Sequence, residues 1–366
     1  MNFDFSSDQK LLADQVQRFL SEQCDTTVVR SALEREPRWA PEVWQGLADM
    51  GLIGTAVSDA YGGTGAGYLE LCLVAQQLGA HIAPVPFGST VYLLAEALVA
   101  FGSEAQKQAW LPKICSGEVK GALALVESMQ QFSADQVTCS VADGKLNGSK
   151  LIVTDGLCAD IYLVLAKGED GPALYLVERG AVQASSVDSV DLTRDTAALS
   201  FADAPAELLV ADGEAALTTL FERAAVLYAF EQLGGAQAAL DMAVNYANER
   251  FAFGRAIGSF QAIKHMLADM YVAMKLAESN CYYAAWALAN DAPDLPLAAA
   301  TARVAATQAF QLCAKDNIQV HGGMGFTWEF DCHLYYRRSN FLALELGGLS
   351  EWEARLVDHL PLQQTA

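Results

Sequence analysis

The chain has 366 residues, 52% of them hydrophobic, with 44 acidic against 23 basic side chains and a formal net charge of −21. That balance excludes non-specific nucleic-acid binding, which needs clustered Lys and Arg to displace phosphate counterions, and the length suits two or three packed units. No run reaches the ~18 uninterrupted apolar residues of a membrane span, and the acidic opening Met1-Asn2-Phe3-Asp4 is unlike a secretory signal, so a soluble, cytoplasmic protein is expected.

From Asp4 to about Gly117 the apolar spacing is helical. Ser6-x-x-Gln9 has the form of a capping box, followed by Leu11, Leu12, Val16, Phe19 and Leu20 at helical intervals. Pro41 is placed to start a helix carrying Val43, Trp44, Leu47 and Met50, with Gly51 to end it. The glycine-rich run from Tyr61 to Gly67 is only superficially a dinucleotide fingerprint: residue 68 is Tyr where the third glycine belongs, and no βαβ pattern surrounds it. It reads as a loop before a helix over 68–78.

From Lys120 to about Val210 the period changes to short β-like runs, 137–141, 151–154, 161–166, 173–177 and 199–201. The turn pairs Asp143-Gly144, Asn147-Gly148, Asp155-Gly156 and Asp170-Gly171 separate them. These runs are too closely spaced for intervening helices, which predicts an antiparallel barrel or sandwich. Helical spacing returns over 214–250, 259–290 and 297–319, predicting a bundle. The expected fold class is therefore α+β and multidomain: an N-terminal helical domain (1–118), a middle antiparallel β domain (119–211) and a C-terminal four-helix bundle (212–366). The eight cysteines include no C-x-x-C pair and the five histidines no H-E-x-x-H. No metal site is expected, and the cysteines read as reduced, buried small hydrophobes.

Two segments of the last region carry the chemistry. Gln319-Val320-His321-Gly322-Gly323-Met324-Gly325 is dense in glycine, so bare backbone N–H groups can approach a phosphate or a base; a plain helix-helix turn would use the same residues. Upstream stands Tyr246-Ala247-Asn248-Glu249-Arg250-Phe251-Ala252-Phe253-Gly254-Arg255. In this order the two segments closely resemble those of the acyl-CoA dehydrogenase family, and the resemblance covers nearly the whole chain.

The resemblance implies FAD as cofactor, an acyl-CoA substrate and an electron-transfer flavoprotein-type acceptor. By it, Arg250 reaches the flavin pyrophosphate across a subunit boundary, Phe253 and Gly254 belong to the same flavin-contacting motif, Gln319, Gly322 and Gly323 meet the same dinucleotide, and Thr154 hydrogen-bonds the flavin edge. The flavin is then expected between the β domain and the bundle, and the bundles are expected to assemble into dimers or tetramers. Against the −21 charge, an anionic thioester needs local cations, for which Arg250, Arg255, Lys264, Arg303, Arg337 and Arg338 are candidates.

Departures from the family pattern concern the chemistry itself. Desaturation removes an α-proton with a base while the flavin accepts a hydride. The commonest base position falls on Leu346, before Gly347, and the alternative one on Ala224; neither takes a proton. Glu231, Glu222 and Glu345 are the substitutes at hand, each also explicable as a solvated or salt-bridged side chain. Ile152 replaces the aromatic that flanks the flavin, Val126 a threonine, and Met129 to Ser133 a Gly-Ser-rich loop. The segments around Trp328 and His333 to Arg338 resemble bacterial steroid side-chain acyl-CoA dehydrogenases, several of which are heterotetramers with one subunit lacking the base. The expected function is one FAD-dependent subunit of a heteromeric enzyme acting with a paralogous partner on a bulky, steroid-derived CoA thioester. A self-sufficient homo-oligomer with a relocated glutamate and a catalytically silent scaffold are the alternatives.

Overall fold

Ser6 opens the first helix as its spacing predicts: its Oγ accepts from the Gln9 amide (3.2 Å), and Gln9 Oε1 accepts from the Ser6 amide (2.9 Å), satisfying two otherwise orphaned donors. The computed structural model describes residues 5–128 and 133–360. Met1 to Asp4, and Met129 to Phe132 of the altered loop, lie outside the described residues.

The helices are α1 (Ser7–Gln23), α2 (Thr26–Leu33), α3 (Pro41–Asp49), α4 (Tyr68–Ala80), α5 (Glu96–Phe101) and α6 (Glu104–Cys115), with a π-helical segment over Gly88–Ala95. Strands follow: β1 (Gly121–Ala124), β2 (Ser140–Ala142), β3 (Lys145–Thr154), β4 (Ile161–Lys167), β5 (Pro172–Glu178), β6 (Val182–Ser186), β7 (Thr196–Pro205) and β8 (Glu207–Val210). Then come α7 (Gly213–Glu249), the short strands β9 (Phe251–Ala252) and β10 (Arg255–Ala256), α8 (Gln261–Ala289), α9 (Leu295–His321), α10 (Cys332–Leu342) and α11 (Leu349–Asp358). Helices, strands, helices is the expected order. Pro41 starts α3, and α4 follows the glycine-rich loop as predicted. No helix among the described residues is long and apolar enough to cross a membrane.

The β region needs correction. Strands β1 to β8 form one sheet ordered β6-β7-β3-β2-β4-β5-β8, with β1 also on β4. β1 and β2 pair with β4 in parallel, and among the described residues β6 and β8 end the sheet unpaired with each other, so the sheet is mixed and open rather than an antiparallel barrel. The β2–β3 hairpin intervenes between β1 and β4 and supplies the chain length that a parallel pairing needs. The run expected over 137–141 shortens to β2, while β1, β6 and β8 lie outside the expected runs.

Contacts divide the chain into two compact units that do not follow chain order. The first comprises residues 1–27, 68–83 and 225–366, and the second 28–67 and 84–224. In the first, α8 and α9 pack along their alanine-rich faces, with α10 and α11 on α9 and α4 between α1 and α8. α4 meets α7 at glycines: a Cβ on Gly79 would sit 1.8 Å from the Glu231 carbonyl oxygen, and one on Gly234 1.8 Å from that of Gln76. The two backbones touch, which only glycine permits. In the second unit the sheet carries β1 against the π-helical segment, every residue of which is buried.

Candidate functional site

In the first unit α7 ends at Glu249, and Arg250 leads into the β9–β10 hairpin, whose two-residue turn is Phe253-Gly254. Both turn residues have positive φ (+52° and +80°), the primed turn whose twist matches its flanking strands. Glycine adopts that conformation freely; phenylalanine rarely does. Phe253 is also 96% exposed. The hairpin tip is therefore a strained, exposed aromatic. Arg250 and Arg255 are exposed beside it, the Arg255 guanidinium lying 4.0 Å from the centre of the Phe260 ring.

α9 ends at His321, and Gly322 takes φ +59°, ψ −136°, a conformation reserved for glycine. A Cβ on Gly322, Gly323 or Gly254 would meet nothing within 4 Å. Packing of this chain therefore does not require these glycines. Their bare backbone faces open space, as does the exposed Gln319 one turn earlier.

The two motifs meet through their aromatic residues. The Tyr246 ring stacks on the His321 imidazole at 4.0 Å and 21°, and Phe330 stands edge-on to both. Burial holds the His321 imidazole below its usual pKa, against a 2.9 Å contact between Nδ1 and the Asn317 carbonyl. Tyr246 lies one helical turn before Arg250, so the stack sets the hairpin beside the glycine turn. A cleft of about 680 Å³ opens alongside, lined by Gln76, His81, Gln237, Asp241, Tyr246 and Phe330 among others. The Tyr246–His321 stack joins the end of α7 to the end of α9, a contact that the spacing of the two motifs in the sequence does not reveal.

In the second unit Thr154 ends β3, half-buried and paired with Thr196. Ile152 is exposed, and its strand bridges to Val126 through the Leu151 amide, which donates to the Val126 carbonyl at 2.8 Å. The adjacent Glu127 is a clamp that the sequence did not reveal. It accepts from Lys150 Nζ (2.7 Å) and the Thr138 amide (2.6 Å). Burial pushes its carboxyl up, but the Lys150 and Thr138 hydrogen bonds outweigh burial and bring it down to about 2. Lys150 is wholly buried and also donates to the Leu125 and Leu165 carbonyls.

The two positions where the resemblance places the base, 224 and 346, carry hydrocarbon side chains. Ala224 is fully buried in the second unit; Leu346 is buried in the first at φ +64°, its carbonyl accepting from Trp352 Nε1 at 3.2 Å. Of the substitutes, Glu231 is 3% exposed and accepts from the buried Arg338 at 3.3 Å. Glu345 is half-buried, with the Tyr228 hydroxyl 3.5 Å from Oε2 and its backbone carbonyl held by Arg303 Nη2 at 2.6 Å. Glu222 is half-exposed on α7, beside Arg223, which pairs with Glu96. Two of the expected local cations are corrected by their surroundings. Arg303 is buried against Gln232 and two carbonyls, with burial pulling it down to about 10, and Arg338 is buried against Glu231. Arg250, Arg255 and Lys264 face solvent.

Within the first unit the Tyr246–His321 stack thus sets an open glycine turn beside an arginine-bearing hairpin. The profile described as acyl-CoA dehydrogenase, N-terminal domain, matches residues 6–118, and that described as acyl-CoA dehydrogenase, C-terminal domain, matches 211–358. Acyl-CoA dehydrogenase IpdE2 of Mycobacterium tuberculosis is 31% identical over 91% of each chain. Among solved structures, the ChsE4-ChsE5 complex of Mycobacterium tuberculosis superimposes with a TM-score of 0.91 at 28% identity over 100% of both chains. A variant of the Tcur3481-Tcur3483 steroid ACAD does so with a TM-score of 0.88 at 30% identity, over 96% of this chain and 97% of that one. The chain belongs to the acyl-CoA dehydrogenase family of FAD-dependent oxidoreductases.

The residues present fit FAD: at Gly254, Gly322 and Gly323 no side chain of this chain intrudes and the backbone can be approached closely, the Gly322 amide itself donating to the Gln319 carbonyl, and the exposed Arg250 offers a cation. When bound, FAD supplies the hydride acceptor.

Proposed function

We propose that this chain is one subunit of a heteromeric, FAD-dependent acyl-CoA dehydrogenase, acting with a paralogous partner that supplies the base for α-proton removal, on a bulky, steroid-derived CoA thioester. The observation that carries this reading is the pair of hydrocarbon side chains, Leu346 and Ala224, at both base positions, together with the Arg338 contact that occupies Glu231. The work left to this chain is binding. Arg250 and the open glycines at 254, 322 and 323 hold the dinucleotide, Thr154 meets the flavin edge, and the exposed Phe253 tip docks on the partner. Electrons leave to an electron-transfer flavoprotein-type acceptor. Similarity to the ChsE4-ChsE5 complex and to a steroid ACAD supports the heteromeric and steroid-linked parts of the reading.

A second reading has one observation in its favour. Glu345 stands next to Leu346, half-buried, with the Tyr228 hydroxyl near its carboxylate. It would make the chain self-sufficient. Anaerobic titration with a panel of acyl-CoAs that includes a steroid side-chain thioester, following the flavin absorbance, separates the two. Bleaching by the chain alone sinks the partner-dependent reading; bleaching only after co-expression with the paralogue supports it. An unresponsive complex leaves a scaffold.

A further inference from the structure

Where β3 ends at Thr154, the chain turns into a buried knot of charge. Asp155, Cys158, Arg194 and Asp195 are all buried, and Asp195 Oδ2 has no hydrogen-bond partner among the described residues. An orphaned buried carboxylate oxygen is costly. The other acceptors here are filled. Arg194 Nε donates to Asp155 Oδ1 at 2.9 Å, while Arg194 Nη2 and Ser89 Oγ donate to Asp155 Oδ2. Asp195 Oδ1 accepts from the Leu157 amide, and the Asp195 carbonyl from the Asp155 amide, each at 2.9 Å. Asp195 thus stitches the 155–157 turn to the start of β7 by two bonds.

Asp155, Cys158 and Asp195 offer ligand atoms within 4.8 Å of one another, which has the dimensions of a cation cage. Arg194 already occupies the Asp155 carboxylate, so a metal ion would sit against a guanidinium. A proton meets the same need without that repulsion. On Oδ2 it converts the orphaned acceptor into a donor, with the Asp155 carboxylate and the Cys158 sulfur close by.

Other titratable groups around the turn are engaged elsewhere. Lys120 pairs with Asp160, and Arg179 donates to the Gly156 and Ala159 carbonyls and to the Tyr162 hydroxyl, which itself donates to the Gly156 carbonyl. Burial, then the charge of Asp155, pushes the Asp195 carboxyl up to about 6, against the Leu157 amide, the Cys158 thiol and the Arg194 charge, which pull it down.

We propose that Asp195 is a proton-operated latch: protonated at Oδ2 it clamps the 154–158 turn onto β7, and loss of that proton sets a second negative charge beside Asp155, whose carboxylate already holds Arg194, and loosens the turn. The latch stands on the geometry alone. Its consequence, a pH-dependent hold on Thr154 at the flavin edge, rests on the function proposed above.

Hydrogen exchange of the full chain between about pH 5 and pH 8, corrected for intrinsic exchange, tests it. The segment 151–160 is expected to lose protection by roughly tenfold or more as pH rises, while β4 does not. Asp195→Asn, which keeps the Oδ1 acceptor and carries a permanent Nδ2 donor, is expected to abolish the loss. Flat protection in the parent, or the same loss in the variant, overturns the latch. Should the variant fail to fold, infrared difference spectra of the parent decide: a buried carboxylic C=O band that vanishes over this range supports it, and its absence overturns it. Repeating the exchange on the flavin-loaded complex separates the two claims. An unaltered 151–160 segment there counts against the flavin placement and leaves the latch standing.

Discussion

Glu231→Gln distinguishes a carboxylate that holds helices together from one that takes a proton. The substitution is nearly isosteric, so it opens no cavity and isolates the charge. Glu231 and Arg338 are 3% and 0% exposed, their carboxylate and guanidinium 3.3 Å apart, joining α7 to α10. Removing one partner of such a buried pair leaves the other desolvated, at a cost of roughly 3–5 kcal/mol. At about 2 °C per kcal/mol for a chain of this size, the melting temperature falls by roughly 6–10 °C. Arg338→Met is expected to fall as far, whereas Glu231→Leu combined with Arg338→Met recovers most of the loss, because a packed apolar pair is close to neutral against a buried ion pair. Thermal unfolding followed by circular dichroism measures the stability, and flavin bleaching by the co-expressed complex measures the chemistry. A Gln variant that melts like the parent but no longer bleaches would refute the reasoning and make Glu231 a reacting group.

Arg250→Ala should lower the flavin content of the purified complex while changing stability by less than about 0.5 kcal/mol, since the side chain is exposed; unchanged flavin occupancy removes its assigned role. Gly79→Ala should destabilise by about 1–3 kcal/mol despite alanine's better helix propensity, because its Cβ would lie 1.8 Å from the Glu231 carbonyl; a neutral variant in urea unfolding contradicts the α4–α7 contact. Asp195 gives a signed pH dependence. Its carboxyl is raised from 3.8 to about 6 in the folded chain, so its contribution is fully present below the unfolded value and lost as pH rises through the folded one. Asp195→Asn should therefore gain on the parent between about pH 4 and pH 7, by up to about 3 kcal/mol. A stability difference that does not change over that range refutes it.

The helical parts were readable wherever the signal is local. The Ser6 cap, the Pro41 start and the long apolar stripes of α7, α8 and α9 need only neighbours within a few turns, and the observed helices lie close to those expectations. The β region was less so. β1, β6 and β8 are short, and their pairing is set by strands far along the chain, so the parallel β1–β4 contact leaves no trace in local alternation. The motif glycines were visible as glycines. That 254, 322 and 323 are open while Gly79 and Gly234 are pressed against backbone was not, because both uses present the same letter.

By itself the sequence determined the family, the order of helices and strands, and the absence of a carboxylate at positions 224 and 346, since these are matters of residue identity and local period. Only the tertiary structure decided which charges are available. It buried Arg303 and Arg338, set Arg338 against Glu231, stacked Tyr246 on His321 and left one Asp195 oxygen without a hydrogen-bond partner among the described residues. The physical reason is that burial and pairing belong to groups brought together from distant parts of the chain, and a carboxylate's chemistry is set by those neighbours rather than by its place in the sequence.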